Sequence, residues 1–210
     1  MAKKQDVALP VIRRLPRYYR FINTLLSDGV ERISSKELSL RMGLTASQIR
    51  QDLNCFGGFG QQGYGYNLVA LKEEIGKILG IDEKINIILV GAGNIGHAIV
   101  SRMKFDTLGF KLAAIFDNSP DVIGKEIGNI TVCSSDEIDN FCSQNEIKAA
   151  IVCVPDSKAK EVVDNLVSLG VKFFWNFTGY DIVYNHPNKG IESENVHLND
   201  SLMTLRYHAN

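Results

Sequence analysis

The sequence lacks any pairing of cysteines: Cys55, Cys133, Cys142 and Cys153 are scattered without a CxxC, and His97, His186, His197 and His208 are equally dispersed. Metal-ligand spacing and dithiol chemistry are therefore excluded as readings. The thiols are expected to be reduced, small and mostly buried. There is no apolar run near the roughly 20 residues that span a bilayer. The basic start, Met1-Ala2-Lys3-Lys4-Gln5-Asp6, is not followed by an apolar stretch of signal-peptide length. A cytoplasmic protein without a metal is expected. Internal repeats and low-complexity tracts are also missing.

Of the 210 residues, 45% are hydrophobic and 22% charged, the balance of an ordinary globular protein with a real core. The length accommodates two small domains. Net charge is only −1, but it is unevenly placed: residues 1–80 carry +5 and the remainder −6. A basic N-terminal third ahead of an acidic remainder suits a nucleic-acid reader joined to a second domain.

From Pro10 to Ser27, apolar residues recur at three- and four-residue spacing (Leu15, Tyr18, Tyr19, Ile22, Leu25, Leu26), which predicts an amphipathic helix. Pro16 inside it is expected to kink or split it. Ser34-Ser35-Lys36-Glu37 has the form of a capping box opening a short helix that stops at Gly43. Thr45 then caps a third helix, from Ala46 to about Asn54, with Ile49 and Leu53 inward. Two short helices joined by the Gly43-Leu44-Thr45 turn predict a helix-turn-helix. Ser47, Gln48, Arg50, Gln51 and Asn54 should then face outward, where they can reach base edges or phosphates. A plain helical hairpin with a solvated face has the same pattern.

Phe56 to Tyr66 holds five glycines and four aromatics in eleven residues, too glycine-rich for a helix and suited to a tight β-hairpin. Behind a helix-turn-helix such a hairpin is a wing lying along the duplex. Lys36, Gln61 and Tyr64 join the DNA-facing candidates on this arrangement. Leu68 to Leu79 is a further helix.

Ile85 to Val90 predicts a buried strand running into Gly91-Ala92-Gly93-Asn94-Ile95-Gly96. A GxGxxG loop between a strand and a helix aims its amides and the helix dipole at a pyrophosphate. Gly91 would make the turn, Gly93 admit the phosphates and Gly96 let the helix pack on the sheet. The next strand ends in Asp117, 21 residues beyond Gly96, with Asn118 after it. A carboxylate there accepts hydrogen bonds from a ribose and repels a 2′-phosphate, which selects NAD(H). Further strands are expected at Ala149–Val154 and Val171–Asn176, with helices near Asp136–Asn145 and Lys158–Leu169. This alternation predicts a doubly wound parallel sheet, an α/β fold. Val154-Pro155 and Asn176-Phe177-Thr178-Gly179 lie where such a sheet presents its ligand crevice, as candidate walls for the nicotinamide end.

A dehydrogenase also needs a proton-transfer group and a substrate domain. No His-Asp or Tyr-x-x-x-Lys constellation follows Gly96, and the last stretch, Val196 to Tyr207, predicts only a short strand and an apolar terminal helix.

The string Arg14-Leu15-Pro16-x-Tyr18-Tyr19-Arg20, then Ser34-Ser35-x-Glu37-Leu38, Gln48-Ile49-Arg50-Gln51-Asp52-Leu53, Phe56-Gly57-x-x-Gly60 and Gly63-x-Gly65-Tyr66 closely resembles the Rex family of redox-sensing transcriptional repressors. The likeness continues through the glycine loop, Phe116-Asp117, Ile123-Gly124 and Asn176-Phe177. The resemblance implies a winged-helix DNA-binding domain over residues 1–80, with the helix-turn-helix at about 17–56 and the wing at about 57–67. It further implies a Rossmann NAD(H)-binding domain over 81–198 and a C-terminal dimerisation helix over 199–210, exchanged between subunits. The implied protein is a non-enzymatic homodimer that binds double-stranded operator DNA and leaves it when NADH binds. Arg14 and Asp200 fit two positions of the family's inter-subunit switch. Four positions depart from the family pattern: Gln61-Gln62 replace basic wing residues, Arg102 stands where a tyrosine is expected, and Gly179 stands where a proline follows Asn-Phe-x. Two other classes stay open on the residues alone, a small NAD-dependent oxidoreductase and an adaptor whose helix-turn-helix contacts protein.

Overall fold

The computed structural model describes residues 7–56, 60–61 and 64–209, with Gly60 and Gln61 described in their backbone only. The chain divides into two compact units, one ending at Asp82 and one beginning at Glu83.

The first unit opens with α1 (Leu9–Ser27), followed by β1 (Arg32–Ile33), α2 (Ser35–Met42), α3 (Ala46–Asn54), β2 (Gly60–Gln61), β3 (Gly65–Asn67) and α4 (Leu68–Leu79). Local chemistry sets most of these ends. The Ser34 side chain accepts from the Glu37 amide and the Thr45 side chain from the Gln48 amide, and Gly43 closes α2 at φ +64°. Asn67 caps α4 through the Ala70 amide, and Gly80 ends it at φ +70°.

α1 corrects the expectation of a split at Pro16, for it runs through the proline as one helix. Proline removes one backbone bond at a cost of about 3 kcal/mol. Leu15, Tyr18, Ile22 and Leu25 are all buried along the same helix, and burying a large apolar side chain is worth about 1.5–3 kcal/mol each. Packing outweighs the breaker. These four side chains meet Leu38, Met42, Ile49, Leu53, Leu68, Leu71 and Ile75 in one core. β1, β3 and β2 form a small antiparallel sheet in that order. β1 was not anticipated: two residues carry no alternation to read. The tip of the expected wing, Gly57-Gly58-Phe59 and Gln62-Gly63, lies outside the described residues, as do Met1–Asp6 and Asn210.

The second unit runs β4 (Ile85–Val90), α5 (Asn94–Arg102), β5 (Phe110–Asp117), β6 (Glu126–Ile127), β7 (Ile130–Ser134), α6 (Ile138–Gln144), β8 (Ala149–Val152), α7 (Asp156–Ser168), β9 (Phe173–Asn176), α8 (Ile182–Asn185), β10 (Glu192–Asn195) and α9 (Leu198–His208). The sheet order is β10-β9-β8-β4-β5-β7-β6, parallel except for the β6–β7 pair. The chain builds outward from β4 to one side, then returns to β8 on the other. That reversal puts the crevice of a doubly wound sheet at the carboxyl ends of β4 and β8.

Strand β4 is buried on both faces because its side chains alternate. Ile88 and Val90 pack with residues of α6, α7 and α8, while Ile87 and Leu89 pack with Ile99 and Val100 of α5. The α5 face is the barer one. Over β9, Phe173 and Trp175 border an apolar cavity of about 390 Å3 shared with Met103, Phe105, Leu108 and Phe110. Helix α9 buries none of its residues; Leu198, Leu202, Met203, Leu205 and Tyr207 are all exposed. No helix among the described residues is long and apolar enough to cross a membrane.

Candidate functional site

Helix α3 displays Ser47, Arg50, Gln51 and Asn54 at the surface of the first unit, with Lys36 of α2 and Tyr64 exposed beside the small sheet. The Arg50 guanidinium donates to the Ser35 hydroxyl at 3.1 Å, which steadies it over the start of α2. The side chain of Gln61 lies outside what is described. Gln48 departs from the outward-facing set. It is half-buried, and its side-chain amide donates to Asp52 at 2.8 Å, so it braces the helix from within.

Asp52 is the residue that sequence reasoning passed over. It is 1% exposed, yet it carries a charge. Arg14 of α1 grips both of its oxygens, through Nε at 2.6 Å and Nη2 at 2.7 Å, and the buried Tyr18 hydroxyl donates at 2.9 Å. Burial pushes the Asp52 carboxyl up, but donors from Arg14, Gln48 and Tyr18 outweigh it and hold the group below the usual carboxylate range. Burial and the bond to Asp52 push the Tyr18 phenol up. The cluster ties α3 to α1, fixing the rotation of α3 about its axis. Arg14, expected at a subunit boundary, is here engaged within its own domain. The available signal was the four-residue spacing of Gln48 and Asp52 on the flank of the Ile49–Leu53 stripe, which puts both on one helix face.

In the second unit the glycine loop leaves β4 at the crevice. Gly91 adopts φ +100°, and a Cβ on it would stand 2.6 Å from the Cys153 carbonyl carbon, so a side chain is excluded twice over. A Cβ on Gly96 would collide with the Gly91 carbonyl oxygen. Around Gly93 the opposite holds: nothing lies within 4 Å, leaving open space above the loop. Helix α5 begins there with no side-chain cap, so its first amides remain aimed outward, the arrangement that receives a phosphate. Ala92 is buried, whereas Asn94 and Ile95 are exposed at the mouth. The residues present fit a dinucleotide pyrophosphate: one glycine for the turn, one for helix packing, and one with its approach open.

Asp117 closes β5 half-buried. Its Oδ2 accepts from the Ala92 amide at 2.6 Å and its Oδ1 from the Ser119 amide at 2.8 Å. It therefore shapes the glycine loop, a role the spacing did not show. Asn118 is exposed beside it.

On the other side of the crevice, Val154-Pro155 follows β8 and Phe177-Thr178 follows β9. Asn176 corrects its expected role as a contact residue. It is fully buried, its amide nitrogen donates to the Tyr180 carbonyl and to Asn195, and its oxygen accepts from the Thr178 amide and hydroxyl. It scaffolds the loop and has nothing left to offer a ligand. Thr178 is likewise 2% exposed. Phe177 packs edge-on against Trp175, with ring centroids 4.7 Å apart. A cavity of about 320 Å3 opens here, lined by Ile95, Asp156, Phe177, Gly179, His197 and Asp200 among others. Asp156 and His197 were missed because they come from the start of α7 and the cap of α9, which only the fold brings together with the loop after β9. Burial raises the neighbouring Cys153 thiol to about 12, so it stays protonated at neutral pH.

Fold and site together define a two-domain ligand-responsive DNA reader: a winged helix-turn-helix joined to a Rossmann domain with a dinucleotide cradle. Residues 6–54 match a family described as putative DNA-binding protein N-terminus, and residues 82–180 one described as CoA binding domain. Over 207 residues the chain is 48% identical to the redox-sensing transcriptional repressor Rex of Clostridium perfringens (strain ATCC 13124), covering 99% of this chain and 96% of that protein. It is 49% identical to the Rex repressor of Clostridioides difficile (strain 630), covering 99% and 97%. The solved structure of RSP with β-NAD+ and operator DNA superposes with a TM-score of 0.89 at 48% identity, covering 97% of this chain and 93% of that one. RSP with β-NADH gives 0.88 at 44% identity, covering 98% and 95%. The chain belongs to the Rex family of redox-sensing transcriptional repressors.

Proposed function

We propose that this chain is a redox-sensing repressor that binds operator DNA as a homodimer and is released when NADH occupies the glycine-loop crevice. Transcription then follows the cellular NADH/NAD+ ratio, and the protein acts in the cytoplasm. One observation carries this reading: the chain joins an exposed recognition surface (Lys36, Ser47, Arg50, Gln51, Asn54) to a crevice shaped for a dinucleotide. Relatives sharing about half its residues over nearly its whole length are repressors, and RSP has been solved both with β-NAD+ and operator DNA and with β-NADH. This favours a protein that reads the cofactor over an oxidoreductase that consumes it.

The physical logic is linkage. A ligand moves an equilibrium between two arrangements only through its differential affinity for them. NADH must bind the arrangement that cannot hold DNA better than NAD+ does. Asp117 selects NAD(H) over its 2′-phosphorylated counterpart by charge. Homodimerisation is supported by the apolar, wholly unburied α9 and by the bare apolar cavity bordered by Phe173 and Trp175, surfaces of the kind that a second subunit covers. Arg14 and Asp200 are the candidate contacts between subunits.

Gel shift on AT-rich palindromic promoter DNA, with and without NADH, tests the reading. Specific retardation that NADH relieves is expected; no specific shift at moderate salt overturns it. Arg50→Ala should remove the shift while NADH still binds. Gly93→Leu should fill the open approach, leaving DNA bound and NADH without effect.

A further inference from the structure

The cavity beside β8 and β9 is continuous with the glycine loop through Ile95, which precedes Gly96 and lines both. Asp156, the first residue of α7, faces this space and is exposed. Its Oδ1 accepts the Gly179 amide at 2.8 Å, and a Cβ at position 179 would stand 3.2 Å from its Oδ2. The carboxylate is thus tethered in place by the neighbouring loop. Two features allow it: glycine leaves the room, and its N–H supplies a donor that a proline at 179 would lack. Asp200 and His197 line the same cavity, but Asp156 is the one anchored to the glycine's backbone.

A dinucleotide with its pyrophosphate on Gly91–Gly96 and its adenosine at Asp117 extends away from β5, toward β8 and β9. The end arriving there is the nicotinamide, whose ring is cationic when oxidised and neutral when reduced. We propose that Asp156, held by Gly179, is a specificity-determining residue that favours the oxidised ring and so lowers the preference of this protein for NADH over NAD+. The inference rests on the reading of the crevice as an NAD(H) site. An exposed opposite-charge pair changes affinity by about two- to fivefold, which sets the scale of the effect.

Calorimetric titration of the full chain with NAD+ and with NADH separately, at low ionic strength, tests this on wild type and Asp156→Asn. Asparagine keeps the oxygen that accepts the Gly179 amide and removes only the charge. The expected result is NAD+ binding about two- to fivefold weaker, with NADH binding unchanged, so that operator release occurs at a lower NADH/NAD+ ratio. Equal weakening of both forms would identify Asp156 as a ribose contact, and equal strengthening as a neighbour of the phosphates; either overturns the proposal, as would no change in either form. Failure of the wild-type chain to bind both forms would instead overturn the dinucleotide reading itself.

Discussion

In the N-terminal domain a carboxylate lies at the centre of the packing, whereas the Rossmann domain keeps Asp117 and Asp156 at the carboxyl edge of its sheet. Asp52 is held by α1 and fixes the helix that displays Arg50, Gln51 and Asn54. Asp117 and Asp156 each bind a loop amide and still face the crevice. A reader of a rigid duplex needs fixed geometry, and a buried, saturated charge supplies it. A ligand site needs polar groups fixed in position but open to a visitor, and the carboxyl edge of a parallel sheet supplies those.

The comparison can be broken most severely at Arg14. Arg14→Ala leaves Asp52 charged and buried with only neutral donors, which costs about 3–5 kcal/mol. Thermal unfolding should show the N-terminal domain melting well below its wild-type temperature. Gly96→Ala is the converse. It drives a Cβ into the Gly91 carbonyl, and dinucleotide affinity should fall at least about 100-fold, or about 2.8 kcal/mol, with operator binding retained in the gel shift. Acid should separate the domains as well. Because the Asp52 carboxyl is held below its unfolded value, its contribution is present above the ordinary carboxylate range and is lost as pH falls through the folded value. Far-UV circular dichroism on acid titration should therefore report loss of the N-terminal helices, and Asp52→Asn should flatten that dependence. The smallest effect concerns thiols: Cys55 is exposed and should be alkylated first at neutral pH, while Cys153, raised to about 12 by burial, should react last.

Much of the fold was legible because its signals are local. The serine and threonine caps of α2 and α3, the glycines that end α2 and α4, and the strand that runs into Gly91 all act within a few residues. Strand β1 carried no pattern, and the continuity of α1 through Pro16 was decided by its packing against the helices around it. The β6–β7 hairpin was overlooked in the alternation of strands and helices. At the site, Gly91 and Gly96 were readable from spacing, since each answers to a backbone constraint, whereas Gly93 is left with open space above it. Asn176 follows a strand at the crevice, as a contact residue would, but its amide is spent on Thr178, Tyr180 and Asn195, partners that no periodicity records. Asp156 and Gly179 are 23 residues apart, and Arg14 and Asp52 are 38 apart, separations over which periodicity carries no information.

The two borders of the seven-stranded sheet have a consequence for how the protein survives at high concentration. On one side the parallel order ends in the two-residue antiparallel strand β6. On the other, β10 presents exposed Glu192 and Glu194 along its length. Short strands and charged edges both discourage a foreign strand from adding to a sheet. Edge-to-edge, fibril-like growth is therefore discouraged at each border.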